Sequence, residues 1–152
     1  MDQRRTASWI TFFFDSNVLV YTVDDDSPHK QQRARSLVAM ISDRAVPVIS
    51  TQVLQEFYNA STKKLNIDEF AAKSIVHDLR NMMVVQVTPD IIEHGIDVSI
   101  VSQQSFWDGL IIAAAEYADC TILLSEDMND GQLINGVKII NPFSNILPWE
   151  KQ

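Results

Sequence analysis

The chain has 152 residues, of which 46% are hydrophobic and 21% are charged, and these proportions are those of an ordinary globular protein with one domain. No apolar run reaches the roughly 18 residues that a membrane-spanning helix needs, and the first residues lack a signal-peptide pattern, so we expect a cytoplasmic protein outside the membrane. The net charge of −8 argues against nucleic-acid binding through a broadly basic surface. It is compatible with a metal-dependent enzyme, because carboxylates that hold divalent cations count as negative only while the site is empty. Cys120 is the only cysteine, which excludes an internal disulfide and fits a reducing compartment.

Short strands are predicted to alternate with helices along the sequence. Apolar, β-branched and aromatic runs predict strands at 10–14, 46–49, 83–87, 121–124 and 137–140. Helical periodicity predicts helices at 18–23, 28–44, 51–65, from 66 onward, at 89–102 and from 108 onward. Ser27-Pro28 and Thr88-Pro89 each place a cap residue before a proline at the first helical position.

This alternation, with short loops, predicts an α/β fold. We expect a single domain over residues 10–152 after a short tail over residues 1–9, with a central, mainly parallel sheet of four to five strands and helices on both faces. In the helix from 66 onward, Asn66 with Glu69 resembles a capping box, and Phe70 is expected among the apolar contacts. No phosphate-binding glycine loop or dinucleotide fingerprint is present.

Acidic residues stand at three comparable places. Asp15 follows the first predicted strand, Asp127 follows the fourth, and Asp108 opens the helix between them. The carboxyl ends of parallel strands are where open α/β sheets bind ligands. These acids therefore indicate a site at that end of the sheet.

A fourth acid, Glu56, lies in the predicted helix 51–65. Val53, Phe57 and Ala60 predict the buried face of that helix. Its polar face, at i, i+4 spacing, is predicted to hold Gln52, Glu56, Asn59 and Lys63. Taken alone, Glu56 has the pattern of a solvated surface acid.

Each of the other acids also has an ordinary interpretation, as a helix-dipole partner, a cap or a loop residue. Together these interpretations fit less well, because Asp108 adjoins Phe106 and an apolar helix, and Asp15 follows the apolar run 12–14. A buried carboxylate is costly unless it is paired. Hard oxygen ligands favour Mg²⁺ or Mn²⁺, and a carboxylate cluster around such ions is suited to phosphodiester hydrolysis.

Four sequence blocks occur in order along the chain: D-S-N, S-T-Q-V-L-Q-E-F, F-W-D-G-L-I-I-A-A-A and L-L-S-E-D-M-N-D-G. With these blocks at the predicted strand ends and helix positions, the chain resembles the PIN domain family over residues 12–142. It is especially similar to the VapC-type toxins of bacterial and archaeal toxin–antitoxin pairs. Each block alone is weak evidence for this family, whereas the four blocks in this order are strong evidence for it.

The resemblance implies roles for individual residues. The family's acidic metal-binding quartet corresponds to Asp15, Glu56, Asp108 and Asp127. Asn17 matches the residue that orients the first carboxylate, Ser125 matches the small hydroxyl residue before the last acid, and Asp130 resembles an accessory acid. The family often has a D-x-D spacing here, whereas two residues separate Asp127 from Asp130. We expect Glu126, beside Asp127, to point towards solvent.

The implied function is that of a ribonuclease dependent on Mg²⁺ or Mn²⁺, which leaves a 5′-phosphate on the cut RNA and serves as the toxin of a type II toxin–antitoxin pair. The resemblance also implies a homodimer, formed through the third and fourth helices, and a small antitoxin whose Arg or Lys enters the acidic pocket. Five basic residues could contact RNA phosphates, although scattered surface charges are the commoner explanation: Lys30, Arg33, Arg35, Lys63 and Lys64.

Other interpretations remain open. An aspartyl phosphatase would need an acid where Asn17 stands, and a receiver-type switch would need paired acids and a lysine that are absent here. A PIN-like scaffold that binds RNA or protein without cutting is the main alternative, and a metal-binding measurement would distinguish it. A role in RNA processing is a further alternative to toxicity.

Overall fold

The computed structural model describes residues 10–147 and residue 150. Its strands are β1 Thr11–Phe14, β2 Val46–Ser50, β3 Met83–Val85, β4 Ile122–Leu124, β5 Leu133–Ile134 and β6 Val137–Ile140. Its helices are α1 Ser16–Tyr21, α2 Pro28–Arg44, α3 Thr51–Lys63, α4 Glu69–Leu79, α5 Pro89–Ser102 and α6 Phe106–Tyr117. The predicted tail over residues 1–9 lies outside the described part of the chain.

The strands form one sheet in the order β3-β2-β1-β4-β6-β5, and every neighbouring pair is parallel except β5 with β6. The predicted α/β class with a mainly parallel sheet is confirmed. The sheet has six strands, whereas four to five were expected, because the two-residue strand β5 was missed. It forms a hairpin with β6 through Asn135-Gly136, whose φ angles of 49° and 83° are typical of this turn sequence.

The buried strand β1 lies in the middle of the sheet, so polar side chains can come together only beyond its end. Phe12, Phe13 and Phe14 are fully buried, because β2 and β4 flank β1 and helices cover the sheet. Phe14 pairs with Leu124 of β4. The residues that follow, Asp15 and Ser125, therefore leave the sheet side by side.

Helices α5 and α6 pack with very close backbones at two glycines. A Cβ atom added to Gly109 would lie 2.6 Å from the carbonyl oxygen of Gly95 and 3.0 Å from the backbone nitrogen of Ser99. Real Cβ contacts are almost never this short, so the crossing requires glycine at position 109. This crossing fixes the start of α6 relative to the sheet.

Two local predictions for α4 are wrong. Its cap is Asp68, which accepts a hydrogen bond from the N–H of Ala71. Asn66 instead has a left-handed φ of 56° between α3 and α4, a conformation that asparagine tolerates well. Phe70 is 83% exposed because Ala72, and not Phe70, lies on the buried face of this helix.

Cys120 is buried just before β4. Burial raises the pKa of its thiol to about 11, which outweighs the lowering effect of a hydrogen bond with Thr11. In the described part of the chain, no helix is long and apolar enough to cross a membrane.

Candidate functional site

The carboxylate of Asp15 lies directly beyond β1 and is only 5% exposed. Its Oδ1 accepts a hydrogen bond from the N–H of Ser16 at 2.8 Å and so caps α1. Its Oδ2 accepts from Ser125 Oγ at 2.8 Å and from Asn17 Nδ2 at 3.1 Å. All three donors are neutral, so they orient the carboxylate and leave its charge uncompensated.

Asn17 connects the residues around Asp15 to the loop after β4. Its Nδ2 lies 3.2 Å from Asp127 Oδ2 and 3.3 Å from Ser125 Oγ, and its Oδ1 accepts from the N–H of Glu126 at 3.0 Å. One amide side chain therefore contacts two acids of the predicted quartet and the backbone between them. This geometry is consistent with the orienting role that the resemblance implies for Asn17.

Glu56 faces this site from α3 and is not surrounded by solvent. Its Oε1 accepts from Ser16 Oγ at 3.0 Å, and its Oε2 accepts from Gln52 Nε2 at 3.2 Å. The same Nε2 lies 3.2 Å from the carbonyl oxygen of Trp107. Gln52 therefore links Glu56 to the residue that precedes Asp108.

Sequence reasoning placed Gln52 on a polar face, but the side chain is only 5% exposed. Its Oε1 is buried and has no hydrogen-bond partner among the residues that the structure describes. The polar face of α3 is turned inward at this point, towards the start of α6, and amphipathic spacing alone does not reveal such a contact. Gln52 is a candidate site residue that the sequence did not single out.

Asp108 lies in the first turn of α6. The helix begins at Phe106, two residues earlier than predicted, and Ser105 caps it by accepting a hydrogen bond from the N–H of Asp108 at 3.1 Å. The neighbouring Trp107 is 61% exposed and therefore does not enclose Asp108. The carboxylate is partly buried and lies at the positive end of the helix dipole.

Two acids of the quartet, Asp15 and Asp108, have raised pKa values. Burial raises the pKa of Asp15 to about 6, and the charges of Glu56 and Asp108 add to this effect, whereas hydrogen bonds from Ser125 and Ser16 oppose it. Burial also raises the pKa of Asp108, and the charge of Asp127 contributes, against a hydrogen bond with Ser105. Such perturbed carboxylates are typical of functional sites.

The donor chemistry fits a hard divalent cation. None of the ion pairs of the described residues includes a member of the quartet; these pairs are Lys30–Glu126, Arg33–Glu150 and His94–Glu116. Within residues 10–147 and 150, no three His, Cys, Asp or Glu side chains already converge as a metal site. The quartet nevertheless offers only oxygen ligands, which Mg²⁺ and Mn²⁺ prefer, and a cation is what the buried charge of Asp15 would need.

Asp130 and Glu126 point away from the quartet. Asp130 accepts from the N–H of Asn141 at 2.8 Å and from Asn145 Nδ2 at 2.9 Å, and these bonds lower its pKa. Glu126 was expected to face solvent, but it accepts from the Tyr21 hydroxyl at 2.6 Å and from Lys30 Nζ at 2.5 Å. The partner Lys30 is 96 residues away in the sequence, too far for local patterning to indicate it.

The predicted RNA-binding residues fall into two groups. A groove of about 480 Å³ is lined by Lys63 and Lys64 together with Asn17, Glu56 and Asp127. The other three cations, on α2, already have partners within the chain. Arg33 donates to the carboxylate of Glu150 and to the carbonyl oxygens of Pro142 and Asn145. Arg35 donates to the carbonyl oxygen of Thr22. Of the five predicted RNA-binding residues, Lys63 and Lys64 are therefore the favoured phosphate contacts, because they line the groove.

A family model described as PIN domain matches residues 12–129. A search of curated protein sequences finds no match to this chain. Three solved structures resemble it over most of its length. VapC20 of Mycobacterium tuberculosis, a toxin that cleaves the sarcin-ricin loop, is 19% identical with a TM-score of 0.61, and the match covers 76% of this chain and 89% of that one.

The other two structures are toxin–antitoxin assemblies. VapBC2 of Rickettsia felis, bound to a DNA fragment from its promoter, is 13% identical with a TM-score of 0.64, and the match covers 86% of this chain and 97% of that one. A toxin–antitoxin complex of Klebsiella pneumoniae is 18% identical with a TM-score of 0.62, over 86% of this chain and 96% of that one. At these identities the likeness establishes a shared fold. Because the family model spans most of the chain and contains all four acids of the quartet, the chain belongs to the PIN domain family.

Proposed function

We propose that this chain is a divalent-metal-dependent ribonuclease and the toxin of a toxin–antitoxin pair. The observation that carries the proposal is the carboxylate of Asp15, which is 5% exposed, has neutral hydrogen-bond donors, and lies near enough to Glu56 and Asp108 for their charges to raise its pKa. Such an arrangement is unfavourable until a cation arrives. Phosphodiester hydrolysis is a reaction that uses cations held in this way.

Asp15, Glu56, Asp108 and Asp127 would hold Mg²⁺ or Mn²⁺. When bound, such an ion lowers the pKa of water and stabilises the negative charge that develops on the phosphate. The protein's own part is to orient the carboxylates. Asn17 and Ser125 orient Asp15 and Asp127, and Ser16 with Gln52 orients Glu56, through the hydrogen bonds given above.

The groove beside the acids would receive the RNA. Its lining includes Lys63 and Lys64 together with Asn17 and with Glu56 and Asp127 of the quartet. A phosphate near the lysines would direct the neighbouring phosphodiester towards the acids. The net charge of −8 argues against phosphate binding through a broadly basic surface. This local pair of lysines is therefore the favoured source of phosphate contacts.

The toxin assignment rests on the resemblance to VapC-type proteins and on the fold shared with VapC20, VapBC2 and the Klebsiella complex. By that analogy the partner would be a small antitoxin that places a cationic side chain among the acids, in the cytoplasm. A homodimer through α3 and α4 is part of the same proposal. Tyr58 on α3 and Phe70 on α4 are 38% and 83% exposed and could contribute to such an interface.

The test is cleavage of a structured RNA pool by the purified, antitoxin-free protein with Mn²⁺ or Mg²⁺, against EDTA. Asp15→Asn removes one carboxylate of the quartet, and Asp43→Asn, an exposed position on α2, is the matched control. We expect cutting that requires metal and is lost in Asp15→Asn but kept in Asp43→Asn.

Folded wild-type protein that neither cuts RNA nor gains thermal stability from Mn²⁺ would contradict the proposal and favour the non-catalytic scaffold. If Mn²⁺ raises the melting temperature but no RNA is cut, the metal site stands and the RNA substrate is the part to revise. Mapping the cut ends would identify the target RNA.

A further inference from the structure

Glu126 is a fifth carboxylate beside the quartet, and it is tied to both ends of α1. Its backbone N–H donates to Asn17 Oδ1 at 3.0 Å, and its side-chain Oε1 accepts from the hydroxyl of Tyr21 at 2.6 Å. Asn17 lies in the first turn of α1 and Tyr21 is its last residue. The loop that carries Asp127 is therefore held along the whole length of this helix.

Lys30 completes this contact from α2. Its Nζ lies 2.5 Å from Glu126 Oε2 and 3.3 Å from the Tyr21 hydroxyl. The ammonium also lies over two aromatic rings, 4.9 Å from the centre of Tyr21 and 5.5 Å from the centre of Phe143. Ion pairing and cation–π contacts together give Lys30 a defined position.

The position of Glu126 affects the quartet through Asn17. The same amide that accepts from the Glu126 N–H donates to Asp15 Oδ2 and Asp127 Oδ2. A shift of Glu126 would therefore move the group that orients two acids. Lys30 also compensates a negative charge next to a cluster that already repels itself.

Resting on the proposed function, we infer that Lys30, Tyr21 and Glu126 are a positioning unit that acts through Asn17 to hold Asp15 and Asp127 in place for the metal. Lys30 then belongs to the support of the acids, in contrast to Lys63 and Lys64, which line the groove. Its cation is directed at Glu126 and not at RNA phosphates.

The test compares Lys30→Met, Lys30→Arg and the full-length wild type in three measurements: Mn²⁺ affinity without RNA, amide hydrogen exchange at Glu126, and the salt dependence of RNA binding. Lys30→Met should weaken Mn²⁺ binding about tenfold, as loss of an outer support typically does. It should speed exchange at the Glu126 amide and leave the salt slope unchanged. Lys30→Arg keeps the charge and should retain near wild-type values.

Two further variants sharpen the result. Lys138→Met removes the same charge from an exposed position on β6 and should change none of the three measurements. Lys30→Met combined with Glu126→Gln removes both charges. Its loss of Mn²⁺ affinity should be smaller than the two single losses combined, because both single variants break the same contact between Lys30 and Glu126.

The inference is overturned if Lys30→Met lowers the salt slope by about 0.7, the value for one lost phosphate contact on a single strand, while Mn²⁺ affinity and Glu126 exchange stay constant. It is equally overturned if none of the three measurements changes. Wild-type protein that binds no Mn²⁺ would contradict the proposed function instead. The Glu126 exchange rate would then decide the inference alone, with faster exchange in Lys30→Met supporting it and unchanged exchange overturning it.

Discussion

The contact between α5 and α6 and the acidic end of the sheet are both tightly built, but they differ in what they bury. At the helix contact, Gly109 approaches the backbone of Gly95 with no room for a Cβ. At the end of β1, the carboxylate of Asp15 is nearly as buried as the ring of Phe14 before it. The first region gains stability from close packing, whereas the second contains like charges that lower stability. Local conflict of this kind is expected where a protein binds a ligand or does chemistry.

The largest effect should come from filling the helix contact. Gly109→Ala would place a Cβ 2.6 Å from a carbonyl oxygen, and we expect the free energy of unfolding to fall by about 2–3 kcal/mol, as is usual for overpacking. Urea unfolding measures this. Gly95→Ala, where the shortest contact is 3.0 Å, should cost less. Equal losses for the two variants would contradict the packing argument.

A substitution at the acidic end of the sheet should instead raise the free energy of unfolding. The difference between a pKa of about 6 for Asp15 and its ordinary value of 3.8 corresponds to about 3 kcal/mol. Because the folded state holds this proton more tightly than the unfolded state does, stability should fall as the pH rises from about 4 to 6. Asp15→Asn should remove the penalty and stabilise the metal-free protein at pH 7.5 by about 1–2 kcal/mol, since altered hydrogen bonds offset part of the gain.

Urea unfolding at pH 7.5 and pH 4, without divalent ions, tests this expectation. The stabilisation should disappear at pH 4, where Asp15 is protonated in the folded protein, and Asp43→Asn should show no such pH dependence. Destabilisation by Asp15→Asn at pH 7.5 would mean that the charge of Asp15 is compensated. Mn²⁺ should in turn raise the melting temperature of the wild type at pH 7.5 and lose this effect as the pH falls through about 6.

A smaller change is expected at the link between α3 and α6. Gln52→Leu removes the donor that joins Glu56 to the carbonyl of Trp107, and it also removes a buried oxygen without a partner. Stability should therefore change little, while Mn²⁺ affinity falls about tenfold. Calorimetric titration measures the affinity, and Gln55→Leu, at an exposed position of the same helix, is the control. A loss of stability with unchanged Mn²⁺ affinity would assign Gln52 a purely structural role.

The smallest effect concerns the groove. Lys63→Met should weaken RNA binding only a few-fold and reduce the slope of log affinity against log salt by about 0.7 for a single strand. A fluorescence titration at several salt concentrations measures this slope, with Lys138→Met as the control for the change in net charge. An unchanged slope would show that Lys63 is a bystander beside the acids.

Much of the fold follows from local patterns. The apolar runs over residues 10–14 and 121–124 predict strands β1 and β4, whose register brings Asp15 beside Ser125. The cap residues before Pro28 and Pro89 predict the starts of α2 and α5. The same patterns, with the family resemblance, indicate Asp15, Glu56, Asp108 and Asp127 as one set. Which of these acids bind metal stays a prediction.

The contacts that were missed join residues far apart in the sequence. Gln52 has the spacing of a surface residue, and only the approach of α6 buries it. Glu126 has a partner in Lys30, which local charge patterning does not reveal. Phe70 shows the reverse case. It was expected to make apolar contacts, but it lies on the exposed face of α4.

The burial of Cys120 gives this chain a practical property. With a pKa of about 11, the thiol stays protonated near neutral pH and is shielded from maleimide-type reagents, which react with exposed thiolates. A cysteine introduced at Asn59, on the rim of the groove, would therefore be the preferred attachment point for a fluorophore or spin label without removal of the native cysteine. A dye at that position would report RNA or antitoxin arriving beside the acids.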